Sequence, residues 1–302
     1  MKLKSGRYII EISNSDKILF GISAITKNDL IRYYDFIAPI MLPHVKNRPI
    51  SMQRFPSGID HEGFFQKDAG DYFPSWITRV AIPKQEGGIV NYVVIDKPAT
   101  LIYLANQGCI TPHVWLNRID NLEKPDRMIF DLDPADALSF KYVQRAAKKL
   151  KKILDDCSLP SFCMLTGSRG AHIVVPLKRV HTFDDTRDFA YNVAFLLAQY
   201  YPDLVTIDIH KSDRGNRVFI DWLRNGFGST VVAPYAVRAR EKAPVAMPVT
   251  WQELLSSGMS SQKYTIANVK NRISTIGDVW HDIQQHIVIL KKARDKINTM
   301  LE

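Results

Sequence analysis

Apolar residues recur every three to four positions over residues 27–42, at Leu30, Tyr33 or Tyr34, Ile37 and Ile40 or Met41, with Thr26 placed to cap. That spacing predicts a helix. A second stripe, Phe140, Val143, Ala147, Leu150 and Leu154, predicts a helix over 139–156. Its opposite face carries Lys141, Arg145, Lys148, Lys149, Lys151 and Lys152 and reads as a solvated outer surface. Residues 184–201 suit a third amphipathic helix, and Trp280, Ile283, Ile287, Leu290 and Ile297 predict a last one over 280–297. Short apolar runs predict strands at 76–82 and 89–95, joined by a tight turn at Gln85-Glu86-Gly87-Gly88. Further strands are expected at 127–133, stopped by Pro134, at 162–166 and 171–177, and at 217–223. Residues 43–49 and 56–60 read as turns. Helices and strands mix without strict alternation, which predicts an α+β fold.

Composition narrows the classes. Of 302 residues, 46% are hydrophobic and 24% charged, which excludes disorder and fibrous arrays. No run reaches the roughly 18 to 20 apolar residues of a membrane span. The opening Met1-Lys2-Leu3-Lys4-Ser5-Gly6 lacks a secretory core, and Cys109, Cys157 and Cys163 form no C-x-x-C pair. A cytoplasmic, reducing setting is expected. The net charge of +9 permits phosphate-rich partners without establishing them.

The chemistry concentrates in three segments. In Ile129-Phe130-Asp131-Leu132-Asp133-Pro134, residues two apart on a strand share a face, so Asp131 and Asp133 lie side by side. At about 4 Å and an effective dielectric near 20, two such charges repel by roughly 4 kcal/mol. A divalent cation offsets that, and an oxygen-only set suits Mg²⁺ or Mn²⁺; a solvated strand end is the alternative. Asp221 sits within the apolar run Arg217–Leu223 and needs a cation or a charged neighbour, Arg217 or Arg224 among them. Three carboxylates on adjacent strands would hold two metals for an in-line phosphoryl displacement. Between them, Thr166-Gly167-Ser168-Arg169-Gly170-Ala171-His172 offers two glycines for a close turn and four donor side chains, Thr166, Ser168, Arg169 and His172, for an anion.

The order Asp131-Leu132-Asp133-Pro134, Thr166 to His172, then Phe219-Ile220-Asp221-Trp222-Leu223-Arg224-Asn225 resembles the three motifs of the archaeo-eukaryotic primase superfamily. More closely, the chain is similar to the polymerase domain of bacterial ATP-dependent DNA ligase D, over about residues 15–255. The resemblance implies a primase-polymerase fold of mixed sheets flanked by helices, with an RRM-like catalytic palm. It implies one domain over 1–302, with a DNA-binding portion near 1–110, a palm near 111–255 and a helical end over 256–302. By the same resemblance Asp131, Asp133 and Asp221 bind two catalytic Mn²⁺ or Mg²⁺ ions, and Thr166, Ser168, Arg169, His172, His113 and Arg238 bind the nucleoside triphosphate. Phe64 and Phe65 resemble the pair that stacks on template bases, Arg54 is a nearby charge for DNA, and Lys17 and Lys27 resemble lysines that hold a downstream 5′-phosphate.

What the resemblance implies about function is template-directed repair synthesis in non-homologous end joining, with ribonucleotides preferred. The implied substrates are gaps, overhangs and 5′-phosphate ends, and the implied partners are Ku and a DNA ligase in a nucleoid-associated setting. The alternatives are a primase that starts chains de novo and a non-catalytic end-bridging module. The chain departs from the family pattern where Thr166 and Ser168 replace the usual serine and glycine, where Arg169 replaces lysine, and where Gln53 stands in place of a frequent lysine. No lysine-centred nucleotidylation motif and no nuclease motif is recognisable.

Overall fold

In the computed structural model, which describes residues 1–84 and 87–302, the chain opens with two hairpins. These are β1 (Lys2–Ser5) with β2 (Tyr8–Glu11), and β3 (Ile18–Phe20) with β4 (Ile25–Thr26). The second leads into α1 (Lys27–Val45), capped by a reciprocal pair in which Thr26 accepts from the Asp29 amide and Asp29 accepts from the Thr26 amide. The helix passes Pro39 and Pro43 and so runs through the first part of the stretch expected as a turn. Its buried face continues through Met41 to His44 and Val45, and burial outweighs the missing N–H donors.

There follow β5 (Pro49–Arg54), β6 (Phe64–Gln66), β7 (Arg79–Pro83), β8 (Ile89–Val94), α2 (Pro98–Asn106) and β9 (Cys109–Trp115). Gln85 and Glu86, half of the expected turn, lie outside the described residues. Their neighbours close it, with the Lys84 amide donating to Gly88 at 3.0 Å. Next come β10 (Arg127–Pro134), α3 (Phe140–Asp156), β11 (Phe162–Leu165), β12 (Ala171–Pro176), α4 (Phe183–Tyr200), β13 (Val205–Thr206) and β14 (Val218–Asp221). The chain ends with β15 (Thr230–Val232), β16 (Met247–Val249), α5 (Trp251–Leu254), α6 (Val269–Ile276) and α7 (Lys291–Leu301).

These elements form two compact units, and the stretch 111–255 supplies strands to both. The first comprises Met1–Asp120, Thr230–Ala246 and Tyr264–Thr275; the second comprises Asn121–Ser229, Met247–Lys263 and Ile276–Glu302. The first holds an antiparallel sheet of order β15-β9-β5-β8-β7, with β6 also on β5. The second holds the sheet β13-β14-β10-β12-β11-β16. Within it the succession β10-α3-β11-β12-α4-β14, paired antiparallel in the order β14-β10-β12-β11, is a split βαβ palm of the expected RRM-like kind.

Helices α3 and α4 pack against β10, where Phe130 and Leu132 are fully buried. On the outer side of α3, Lys151 and Lys152 pair with Asp155 and Asp156 one turn on, as a solvated face should. The expected helix over 280–297 is absent. Trp280, Ile283, Leu290 and Ile297 are buried, but Ile287 is exposed and the segment is a 3₁₀ turn (Ile283–His286), an extended stretch and then α7. The β-branched run Ile287-Val288-Ile289 favours extended backbone, and Val288 bridges to Leu177 beyond β12.

Candidate active site

In the second unit, β10 sets the acids. Asp131 lies opposite Asp221 of β14 on one side and opposite His172 of β12 on the other. Alternation turns Asp131 and Asp133 away from the buried Phe130 and Leu132. The His172 Nε2 stands 3.4 Å from Asp131, and its buried Nδ1 has no hydrogen-bond partner among the described residues. Arg224, on the 3₁₀ turn after β14, brings its Nε to 3.0 Å from Asp221 and 3.7 Å from Asp131. Burial pushes the Asp221 carboxyl above the usual aspartate range; Arg224 opposes this, and the Asp131 charge adds to it. Asp133 has its own cations, Arg169 at 3.1 Å and Arg214 at 3.9 Å, and Arg169 also pairs with Asp136. A cleft of about 110 Å³ opens here, lined by Asp133, Asp136, Arg169, Lys211 and Arg214 among others.

The two glycines of the loop 166–170 have different surroundings. Gly167 has φ +66° and turns the chain, whereas Gly170 lies so close to β10 that a Cβ would run into the Leu132 carbonyl oxygen. That glycine lets β12 pack closely on β10. Ser168 is not in the left-handed region, so serine is accommodated where glycine is usual. The Thr166 hydroxyl braces the loop, donating to the Gly170 carbonyl at 3.1 Å and meeting Ser261 Oγ at 3.1 Å.

Asn225 is the residue whose role the sequence did not disclose. Its side-chain oxygen accepts from the Ile129 amide at 2.8 Å, and its NH₂ donates to the Ile129 carbonyl at 2.7 Å. The turn that follows Asp221 is thereby pinned to the strand that carries Asp131. Its place four residues after an acid in an apolar strand was the available signal.

Among the described residues, no three His, Cys, Asp or Glu side chains converge on one cation position. The donors are nonetheless all carboxylate oxygens, and Asp131 and Asp221 face each other across paired strands. Such a set suits a hard divalent cation. In the arrangement seen, arginines supply the positive charge.

The first unit holds the remaining predicted residues, in three groups. His113 of β9 packs edge-on against Phe65 of β6, ring centroids 5.3 Å apart, on the face of β5 that carries Gln53. Gln53 lines a cleft of about 340 Å³ with Arg238, Ala239 and Arg240. Phe64, next to Phe65 on the strand, takes the opposite face and meets Arg54. The expected aromatic pair is therefore split between two surroundings, both half-exposed.

Lys17 and Lys27 flank the β3–β4 hairpin, the Lys27 amide donating to the Lys17 carbonyl at 2.8 Å. Lys27 is buried, with its Nζ donating to Ser13 Oγ at 3.2 Å, and burial followed by the Lys17 charge lowers its pKa. The amides of Lys27, Asn28 and Asp29 go to Lys17, Ser15 and Thr26, so only side chains remain for an anion.

A family model for the LigD primase-polymerase domain matches residues 26–280. The multifunctional non-homologous end joining protein LigD of Mycolicibacterium smegmatis is 31% identical over 272 residues, which is 89% of this chain and 35% of that protein. The bifunctional non-homologous end joining protein LigD of Bacillus subtilis is 30% identical over 278 residues, 92% of this chain and 44% of that protein. The chain thus spans less than half the length of these relatives. The polymerase domain from Mycobacterium tuberculosis ligase D, solved in complex with DNA, matches with a TM-score of 0.87 at 31% identity. That match covers 92% of this chain and 99% of that one.

Proposed function

The chain belongs to the LigD primase-polymerase domain family, and from that premise we propose that it extends a primer 3′-OH along a DNA template at gaps and double-strand breaks, in non-homologous end joining. The observation that carries this reading is the register of the palm, which sets Asp131 between Asp221 and His172 on neighbouring strands. Asp131, Asp133 and Asp221 would hold Mn²⁺ or Mg²⁺, which when bound lowers the pKa of the primer hydroxyl and neutralises charge on the departing pyrophosphate. Arg169 and His172 supply positive charge and a buried ring nitrogen toward the triphosphate, while Thr166 and Ser168 keep their loop in shape for it. His113 and Arg238 are assigned to the nucleotide, Phe64, Phe65 and Arg54 to the template, and Lys17 and Lys27 to a downstream 5′-phosphate.

Ribonucleotides are the preferred substrates in this reading, since a site that uses the 2′-OH penalises its absence. Competition between matched ribo- and deoxyribonucleoside triphosphates measures that preference. Ku and a DNA ligase are the proposed partners, in the nucleoid. No described helix is long and apolar enough to cross a membrane.

Extension of a gapped duplex with Mn²⁺, run with and without primer, tests the proposal. Asp131→Ala and Asp221→Ala should each slow extension by at least about 100-fold while DNA binding persists. Extension at the unmutated rate by either variant would remove the assignment, and chain growth without primer would favour a primase.

A further inference from the structure

In the second unit, the loop that carries Arg169 is held by two adjacent side chains of a later segment. Ser261 Oγ donates to the Gly170 carbonyl at 2.7 Å, and Gln262 Nε2 donates to the Ser168 carbonyl at 2.8 Å. The two carbonyls that flank Arg169 are thereby fixed. Ser261 is 4% exposed, whereas Ser260, Gln262 and Lys263 around it are exposed. A hydroxyl gains nothing from burial itself, so its hydrogen bonds are what hold it there. The segment is anchored in turn. Strand β16 pairs with β11, which leads into the loop, and the Gln144 side chain of α3 donates to the carbonyls of Leu254 and Ser256, both at 2.8 Å. The hairpin between β11 and β12 has its own register, Leu165 opposite Ala171, and the Gly170 carbonyl also accepts from the Thr166 amide at 3.2 Å. The brace is therefore an addition to a turn that already closes.

We propose that Ser261 and Gln262 are positioning residues that set Arg169 for the triphosphate. The inference rests on the reading that Arg169 faces that group, and it assigns neither side chain a contact with the nucleotide. Gly167, at φ +66°, gives the loop a freedom that the two bonds remove. The Ser168 carbonyl and the Arg169 N–H share one planar trans peptide, so a carbonyl held by Gln262 turns that N–H the opposite way. The Arg169 guanidinium pairs with Asp133 and Asp136. With its backbone held, the side chain alone has to turn toward a triphosphate. A loop ordered beforehand binds without the entropy cost of ordering.

Steady-state extension of a primed, gapped duplex with the nucleoside triphosphate concentration varied tests this. Ser261→Ala and Gln262→Ala should each raise KM for the nucleotide about fivefold. Their kcat should stay within about twofold, and their affinity for the gapped duplex should be unchanged. Ser261→Thr keeps the hydroxyl and should keep the unmutated KM, while Gln262 is exposed, so its removal leaves the fold in place. An Arg169→Ala background separates positioning from general support of the loop. Ser261→Ala added to it should raise KM no further, because the group it positions is gone. An unmutated KM in both alanine variants would overturn the inference and leave the polymerase reading intact, as would a full further rise in the Arg169→Ala background. Failure of the unmutated protein to extend the primer at any nucleotide concentration would overturn the polymerase reading itself, and the brace with it.

Discussion

Asn225 stands in for a strand. The sheet neighbour β14 ends at Asp221, so β10 has no backbone partner on that side at Ile129, and the Asn225 amide supplies both missing hydrogen bonds. The side chain is fully buried. Asn225→Ala leaves a donor and an acceptor unpaired at about 1–3 kcal/mol each, so thermal unfolding should show a loss of about 2–6 kcal/mol. Asn225→Asp keeps the acceptor and removes the donor, and it should be worse than its isosteric shape suggests, because it buries a charge. Lys27 gives a second test at this scale. Burial and then Lys17 lower its pKa below the ordinary 10.5, so in the free protein the ammonium gives up its proton more readily than an exposed lysine does. A bound phosphate would oppose that shift. Below the lowered pKa, binding takes up no proton; between that pKa and 10.5 it must. Preference for a 5′-phosphate over a 5′-hydroxyl end should therefore fade as pH rises through that interval. Lys27→Arg stays charged and should flatten the profile, which fluorescence anisotropy across pH will show.

At the scale of elements, the amphipathic helices were readable because each buries one stripe: α1, α3 and α4 begin within a residue of where period and cap place them. The cap is itself testable. Thr182 and Asp185 form at α4 the same reciprocal pair that Thr26 and Asp29 form at α1, so Thr182→Ala should cost about 1 kcal/mol in thermal unfolding and Thr182→Ser little. Helix α2 escaped the periodicity for the opposite reason. Residues Ala99–Asn106 are all buried, and a helix buried all round carries no stripe. The segment 280–297 misled because its helical spacing is local, while the bridge between Val288 and Leu177 joins residues far apart in sequence. The same limit governs the site. The carboxylates could be named from their spacing along strands, but that Asp131 faces Asp221 depends on strand order, and the closeness of Gly170 to Leu132 depends on packing. Neither is written in a local pattern.

For the whole molecule, the charge of +9 favours a polyanion, and in the proposed reading the number of phosphates contacted on DNA would set how steeply salt loosens binding. Each phosphate neutralised by lysine or arginine releases a counterion, so log affinity falls linearly with log salt, by about 0.9 per contact on duplex DNA. Lys17 and Lys27 are the pair assigned to the downstream end, where a terminal phosphate carries more negative charge than an internal one. Gapped DNA with a 5′-phosphate should accordingly bind more tightly, and with a steeper salt slope, than its 5′-hydroxyl counterpart. Replacing both lysines with alanine should make the two DNAs equivalent and lower the slope for the phosphorylated one by about 1 to 2. Extension of a simple primer-template, which has no downstream strand, should survive the double substitution. Titration of both DNAs over a series of salt concentrations decides the matter. A slope that drops equally for both ends would mean that these lysines add only to the general field of the protein, and that end recognition lies elsewhere.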